Sequence, residues 1–214
     1  MQQVLVYGDS MAWGMVPGTR QRAPFSTRWP GLLESAINAT GQSQARVVEN
    51  CLPGRRTVWD DPYRPGRNGA LGLSELVEAC SPLTLVILAL GTNDFQGGRD
   101  VGAWGCAAGV ARLVEVVRHA PVEPGMPRPR ILVLAPPDIV APRGANVLKF
   151  EGASQRSRGL GAAFAQMAGD KKVGFFDLGT VTQRSEVDGI HLDAEQHAVI
   201  AGALVPLVSQ LISE

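Results

Sequence analysis

Five short apolar runs alternate with five longer segments of helical periodicity, and this alternation is the strongest constraint on the fold. The runs are rich in Val, Ile and Leu, as expected of strands that are buried on both faces of a sheet. They cover residues 4–7, 46–50, 85–90, 130–135 and 173–176. The helical segments cover residues 27–39, 70–79, 101–119, 152–168 and 194–211. This alternation predicts an α/β fold in which a five-stranded parallel sheet carries helices on both faces, forming a three-layer α/β/α sandwich.

The composition is typical of a globular protein and argues against several classes of partner. A chain of 214 residues is long enough for a sizeable core, and we expect one domain over residues 1–214. Lys and Arg number 20 and Asp and Glu number 20, so no excess of charge predicts a nucleic-acid partner. No apolar run approaches the roughly 20 residues of a membrane span. The first strand begins too early to leave room for a signal peptide, so we expect a cytoplasmic protein.

Motifs for metals and nucleotides are missing from the sequence. It contains no HExxH, P-loop or GxGxxG pattern, so we predict no cofactor and no metal site. Cys51, Cys80 and Cys106 are widely spaced and odd in number, which favours free thiols. The sequence also lacks a G-x-S-x-G elbow, which argues against the α/β-hydrolase family.

Ser10 follows the first predicted strand after a short turn, Gly8-Asp9. In an open parallel sheet, ligands bind at the carboxyl ends of the strands, which is where Ser10 is expected to lie. A Ser in this position is a nucleophile only if a base activates it, because a free hydroxyl is barely ionised at neutral pH. Taken alone, the position favours a Ser that merely caps the next segment.

Of the three histidines, His191 has the surroundings expected of such a base. His119 ends a helical segment and His197 lies within another, whereas His191 follows a turn-like segment. Asp188 lies three positions earlier, a spacing at which a turned loop can fold the carboxylate back onto the imidazole. The same Asp188-Gly189 pair is also typical of an ordinary turn.

Two further blocks complete a set that resembles the SGNH hydrolase superfamily, also called GDSL-type esterases. One is Gly91-Thr92-Asn93-Asp94 after the third strand, and the other is Gly54 after the second. With Gly8-Asp9-Ser10 and Asp188-Gly189-Ile190-His191, they stand in the order of the family's four blocks and span nearly the whole chain. Each block alone is a weak signal, but the ordered set is specific.

The resemblance implies a flavodoxin-like sheet and a serine esterase mechanism. Ser10 would attack an ester carbonyl, His191 would take its proton, and Asp188 would orient His191. The oxyanion hole would comprise the backbone N–H groups of Ser10 and Gly54 and the side-chain amide of Asn93. No cofactor or metal is implied.

Within the superfamily, the chain is similar to bacterial arylesterases that also transfer acyl groups to alcohols or peroxide. The similarity lies in Gly8-Asp9-Ser10-x-x-Trp13-Gly14, Arg28-Trp29, Asp60-Asp61-Pro62, Arg67-Asn68-Gly69 and Phe150-Glu151-Gly152. It implies a homo-oligomer with a confined, apolar site for short-chain aryl or alkyl esters. The side chains predicted to line that pocket are Asp9, Trp13, Ile139, Val140 and Phe150. Gly54 stands where some of these relatives carry Ala, which leaves the balance between hydrolysis and acyl transfer open.

Two alternatives remain open from the sequence. A carbohydrate O-acetyl esterase of the same superfamily would carry the same blocks, although the apolar loops favour small apolar esters. A catalytically inactive binding protein on this fold is the alternative of a different class. The segment 55–69, which interleaves Arg and Asp with aromatic residues, is expected to be an ordered loop stiffened by ion pairs beside the site.

Overall fold

A parallel sheet of five strands runs through the centre of the computed structural model, which describes residues 1–41 and 44–213. The strands are β1 Gln2–Gly8, β2 Ala45–Cys51, β3 Leu85–Ala89, β4 Arg130–Ala135 and β5 Gly174–Asp177. Their order across the sheet is β2-β1-β3-β4-β5, with every pairing parallel. This is the flavodoxin-like order that was predicted, and its switch point lies between β1 and β3.

Helices cover both faces of the sheet, as the alternation of segments predicts. They are α1 Ser10–Trp13, α2 Trp29–Ala39, α3 Leu73–Ala79, α4 Ala103–His119, α5 Asn146–Lys149, α6 Ala153–Arg156, α7 Leu160–Lys171 and α8 Ala194–Ser213. On one face, Val4 and Val6 of β1 pack in a cluster with residues of α2 and α8. On the other, Leu5 and Tyr7 pack in a cluster with α3, α4 and α7. Alternate side chains of one strand therefore enter two separate cores, which explains the continuous apolar runs in the sequence.

The predicted helix over residues 152–168 is wrong in one respect, because the structure divides it into α6 and α7. Gly159 lies between them with a φ of 79°, a left-handed conformation that interrupts a helix. The carboxylate of Asp138 then accepts hydrogen bonds from the backbone N–H groups of Gly159 and Leu160. It thereby satisfies donors that the start of α7 would otherwise leave unpaired.

Among the described helices, α8 alone is long and apolar enough to cross a membrane by length and composition. No such segment was expected from the sequence. In the structure, Ile200, Leu204 and Val208 of this helix are buried in the core beside α2 and the sheet. A core helix of this kind meets the same length and composition test as a membrane span.

Candidate active site

The carboxyl ends of β1 and β3 bring the predicted motifs together at the switch point of the sheet. β1 leads through Asp9 into α1, and Ser10 is the first residue of that short helix. β3 leads through Gly91 into a single 3₁₀ turn, Thr92–Phe95, which contains Asn93. Because β1 and β3 are neighbours and parallel, the loops that follow them emerge at the same edge.

Ser10, His191 and Asp188 form a continuous chain of hydrogen bonds. The Oγ atom of Ser10 lies 3.0 Å from Nε2 of His191. On the other side of the ring, Nδ1 lies 2.7 Å from Oδ2 of Asp188. A carboxylate only accepts hydrogen bonds, so the network assigns the proton to Nδ1 and leaves Nε2 as an acceptor for the Ser10 hydroxyl.

Backbone groups from two segments hold the carboxylate of Asp188 in place. Oδ1 accepts hydrogen bonds from the N–H groups of Ile190 and His191, and Oδ2 accepts one from Gly18. Burial alone would raise the pKa of Asp188. Three effects together outweigh burial: the hydrogen bonds from His191, the charge of His191 and the hydrogen bond from the Ile190 N–H. They hold the pKa of Asp188 well below its usual range. Asp188 therefore stays ionised beside His191.

Asn93 lies beside Ser10 with its amide held on three sides. Nδ2 donates to Oδ2 of Asp9 and to the backbone carbonyl of Arg55, each at 3.1 Å. Oδ1 accepts a hydrogen bond of 2.6 Å from Nε2 of Gln96. These contacts fix which way the amide points, and both of its N–H groups already have an acceptor.

The backbone at Gly54 approaches the site in a conformation that favours glycine, with a φ of 85°. In the described part of the chain, the N–H groups of Gly54 and Ser10 donate to no protein acceptor. Both residues line the cleft in front of the Ser10 hydroxyl. Two backbone donors are thus available to an oxygen atom that binds there.

A model of the GDSL-like lipase/acylhydrolase family matches residues 6–199. The chain belongs to this family. The match spans all four sequence blocks and confirms the SGNH hydrolase resemblance stated above. No curated protein sequence matches the chain significantly.

Solved structures agree with the family assignment over the full length of the fold. An aryl esterase from M. smegmatis is 32% identical, with a TM-score of 0.92, and the match covers 99% of this chain and 100% of that one. A carbohydrate acetylesterase from Sinorhizobium meliloti is 30% identical, with a TM-score of 0.92 and the same coverage. A G-D-S-L family lipolytic protein from Veillonella parvula is 12% identical, with a TM-score of 0.70, and covers 98% of this chain and 100% of its own. This last likeness concerns the fold alone.

The GDSL-family chain has a cleft of about 420 Å³ in front of Ser10, called here the Ser10 cleft. Its walls are the loop after α1, the turn at Pro53 and Gly54, and the loop between β4 and α6. Four cationic side chains line it: Arg20, Arg64, Arg143 and Lys149. The lining is therefore mixed, because these charged groups lie beside apolar side chains such as Phe150 and Ile190, where a uniformly apolar slot was expected.

Of the five side chains predicted to line the pocket, Phe150 alone borders the Ser10 cleft. Asp9 is buried behind Ser10, where it accepts hydrogen bonds from Met11 and Asn93. Trp13 lies outside the cleft, with the Arg22 guanidinium 5.0 Å from its ring centroid. Ile139 is buried in the core, and Val140 faces a second cleft. The sequence placed residues 138–150 beside the site correctly, but it could not tell which side chains of an irregular loop face inward.

Arg184 is a buried residue beside the site that no sequence motif indicates. Its guanidinium donates to Oγ1 of Thr92 and to the carbonyl groups of Pro137 and Ile190. Burial lowers the pKa of Arg184 to about 10, although Asp9, Asp138 and Asp188 oppose that effect. The side chain ties the loop that carries His191 to the turn that carries Asn93. A lone Arg outside a motif gives no signal of such a role.

Within residues 1–41 and 44–213, no cluster of three or more His, Cys, Asp or Glu side chains has the arrangement of a metal site. Asp94, the last residue of its motif, lies away from His191 and accepts hydrogen bonds from the backbone and hydroxyl of Thr57. Burial raises the pKa of Asp94 to about 6, against the effect of those hydrogen bonds. It anchors the loop 55–69 to the site.

Proposed function

We propose that this chain is a serine esterase that hydrolyses small carboxylic esters through an acyl-enzyme on Ser10. The observation that carries the proposal is the hydrogen-bonded chain of Ser10, His191 and Asp188 at the switch point of the sheet. Such a chain supplies a nucleophile, a base and a group that orients the base. Membership of the GDSL-like lipase/acylhydrolase family supports the same chemistry.

In the first half of the proposed reaction, Oγ of Ser10 attacks the ester carbonyl while Nε2 of His191 takes its proton. The carbonyl π bond opens to an oxyanion, and the resulting imidazolium is stabilised by Asp188. When the tetrahedral intermediate collapses, the bond to the leaving oxygen breaks and His191 returns the proton to the alcohol. A water molecule, deprotonated by His191, then attacks the acyl group and releases the acid and Ser10.

The oxyanion needs donors that are already in place, because reorganising them would add to the barrier. The N–H groups of Ser10 and Gly54 fit that role, since they have no other protein acceptor among the described residues. Asn93 would have to share an N–H that now donates to Asp9 or to the Arg55 carbonyl. We therefore assign the N–H groups of Ser10 and Gly54 the larger share of the oxyanion stabilisation. The Asn93 amide would add a hydrogen bond that strengthens as negative charge develops on the oxygen.

The direct test is labelling with a fluorophosphonate, which forms a covalent bond with an activated serine. We expect stoichiometric labelling at Ser10, none in Ser10→Ala, and normal labelling in the control Ser154→Ala, whose side chain is exposed on α6. Ester hydrolysis should fall by at least a thousandfold in Ser10→Ala and His191→Ala, without adding in the double variant. A folded protein that neither reacts with the probe nor hydrolyses aryl acetates would be a binding protein instead.

The size of the Ser10 cleft favours short acyl chains, since about 420 Å³ lies near the lower end of small-molecule sites. In a series of p-nitrophenyl esters, kcat/KM for acetyl and butyryl should exceed that for octanoyl. A rate that rises steadily with chain length would contradict this. Because four charged side chains line part of the cleft and are expected to keep water there, we propose hydrolysis as the main reaction. The yield of alkyl ester with added primary alcohol measures acyl transfer in the same assay.

A second candidate is a carbohydrate O-acetyl esterase, and the lining of the cleft is the observation that favours it. Asn146, Thr19 and the cationic side chains offer the polar contacts that a sugar needs, where an apolar slot was expected. The S. meliloti structure carries the name carbohydrate acetylesterase. Acetylated mono- and disaccharides assayed beside aryl acetates distinguish the two. A kcat/KM at least tenfold higher for the sugars would favour the second candidate.

A further inference from the structure

We propose that the Ser10 cleft binds an anionic group of the substrate, so that its preferred esters carry a carboxylate or a similar compact anion. This inference rests on the proposed esterase function and specifies the class of ester. The anion would lie against Arg20, Arg64 and Lys149 while the ester carbonyl reaches Ser10.

The charge of the cleft differs from that of the chain as a whole. The chain has 20 basic and 20 acidic side chains, giving a formal net charge of zero. Around the cleft, by contrast, Arg20, Arg64, Arg143 and Lys149 face a single carboxylate, Asp188. Asp188 already accepts four hydrogen bonds, so its charge is engaged by His191 and the backbone. A cleft lined by one sign of charge attracts ligands of the opposite sign.

These four cationic groups also lack ion-pair and hydrogen-bond partners of their own, although the Lys149 ammonium lies 5.6 Å from the ring centroid of Phe150. Among the described residues, none of them forms an ion pair within 4.0 Å or donates a side-chain hydrogen bond to the protein. Other arginines near the site are saturated by contrast. Arg55 donates to Asn50 and to the carbonyl of Gly8, and Arg28 pairs with Glu49. The unpaired donors in the cleft are therefore free to bind an anion.

Two observations place this charge close to the reacting atoms. A methyl group added at Gly54 would lie 3.0 Å from Nη1 of Arg64, so the guanidinium lies beside the residue whose backbone offers an oxyanion donor. Lys149 precedes Phe150 on the opposite wall. Burial lowers the pKa of Lys149, and repulsion from Arg64 lowers it further. Asp61 opposes these effects, and Arg20 adds a smaller lowering. Three cations that repel one another across the cleft gain stability when an anion binds between them.

The test compares pairs of esters that differ in charge but hardly in shape. On the alcohol side, the pair is 4-acetoxybenzoate and 4-acetoxybenzamide. On the acyl side, it is monophenyl adipate and its terminal carboxamide. Each kcat/KM is divided by the rate constant for hydrolysis in alkali, which corrects for the reactivity of the ester. In at least one pair, we expect the anionic member to be favoured by tenfold or more at low salt, since a hydrogen bond to a charged group is worth about that factor. The preference should shrink as salt is added.

Variants then assign the preference to the cleft. Arg64→Gln and Lys149→Gln should each lower the ratio of anionic to neutral kcat/KM by about tenfold. Arg112→Gln, which removes a positive charge from an exposed position of α4 outside the cleft, should leave that ratio unchanged.

If both neutral esters react as well as their anionic partners while Ser10 still labels, the inference is wrong but the esterase proposal stands. If no ester reacts and Ser10 does not label, the proposed function itself has failed. An anionic preference that persists in both cleft variants would also overturn the inference, because its source would lie elsewhere.

Discussion

At the scale of single residues, Asp188 shows how several segments combine to hold one reactive group. Its carboxylate accepts hydrogen bonds from the ring and backbone of His191, from Ile190 and from Gly18. Gly18 belongs to the loop after α1, 170 positions away in sequence. The carboxylate therefore joins the segment that follows Ser10 to the segment that carries His191.

Asp188→Asn should lower kcat by roughly 10² to 10⁴-fold, because the amide would present an N–H to Nδ1 and favour the wrong tautomer of His191. It should also lower the free energy of unfolding by about 1–3 kcal/mol, since an amide nitrogen cannot accept the backbone hydrogen bonds that Asp188 now accepts. Chemical denaturation and steady-state kinetics on the same preparation measure both effects. The control is Asp177→Asn, whose carboxylate accepts from Gly179 instead. If the control proved the more damaging to kcat, the orienting role would belong to Asp177.

Gly54→Ala should lower both stability and turnover. A side chain at a φ of 85° costs about 1–2 kcal/mol, and its methyl group would press on Nη1 of Arg64. Gly72→Ala is a matched control, because Gly72 has a φ of 74° but open space around the added methyl group. Both variants should lose similar unfolding free energy, while Gly54→Ala alone should lose kcat/KM. Equal kinetics in the two variants would argue against a role for the Gly54 backbone.

The residues that could be predicted from sequence are those whose chemistry depends on a motif. Ser10, Asn93, Asp188 and His191 follow recognisable turns, and the structure brings them together. Arg184, Arg20 and Arg64 could not be predicted, because nothing in the sequence around them distinguishes a site arginine from a surface one. The prediction of which side chains line the pocket was mostly wrong for a related reason. An irregular loop has no periodicity that would show which of its side chains face inward.

At the scale of elements, the loop 55–69 is held differently from the ion-pair lattice that its composition indicates. Arg56 and Asp61 come only within 3.9 Å of each other. Most of the order comes from hydrogen bonds to neutral groups and from Asp94, which binds the backbone and hydroxyl of Thr57. Carbonyl acceptors are invisible in a composition, so the sequence could predict order in this loop but not its source.

The contact between α2 and α8 contains a buried His that makes no direct contact with the proposed chemistry. Nδ1 of His197 accepts a hydrogen bond from the backbone N–H of Trp29, at the start of α2. Burial, and to a smaller extent the nearby charge of Arg28, lowers the pKa of His197 to about 4. The unfolded chain, with an ordinary His pKa near 6.5, binds this proton more readily than the native protein does.

Wild-type protein should therefore lose stability relative to His197→Gln as the pH falls from about 6.5 to about 4, by about 3 kcal/mol. The difference between the two proteins is the informative quantity. Asp94, whose pKa is raised to about 6, takes up a proton in the native protein over part of the same pH range. Its protonation stabilises the native protein as the pH falls, which is opposite in sign to the effect of His197. Urea unfolding at several pH values measures the difference. His119→Gln is the control, because that ring is exposed; an equal effect there would refute the explanation.

At the scale of the whole molecule, the order of the strands follows from patterns that the sequence displays openly. Buried strands give continuous apolar runs, and helices packed on one face give a periodic stripe, so the five strands and the helices α2, α3, α4 and α8 were predicted within a few residues of their observed positions. The short helices α1 and α5, of four residues each, were not predicted. The division into α6 and α7 was missed because a Gly within a helical pattern can continue the helix or end it. The left-handed conformation of Gly159 depends on its tertiary surroundings.

We propose that the molecule self-associates through large apolar side chains on the loops that border the Ser10 cleft. Tyr63 is 90% exposed and Leu148, on α5, is 82% exposed, so two large apolar side chains beside the cleft are available for contact with a second copy. Light scattering at micromolar concentration should give a mass well above the 22.7 kDa of one chain. Leu148→Gln should reduce that mass, whereas Val199→Gln, on α8 outside these loops, should not. A mass of one chain in the wild-type protein would contradict the proposal.

The contact between Ser10 and His191 joins residues that are 181 positions apart. The exposed segment 121–129 lies between them, after α4 and before β4. A chain divided there would yield one fragment with Ser10, the proposed nucleophile, and another with His191, the proposed base. On that proposal neither fragment could cleave an ester alone. Activity would return only as the two fragments associate and β4 docks beside β3, so its rate of appearance would depend on fragment concentration. Ester cleavage by such a divided chain would then report fragment complementation. Two proteins that bind each other, one fused to each fragment, would bring the fragments together and restore the activity.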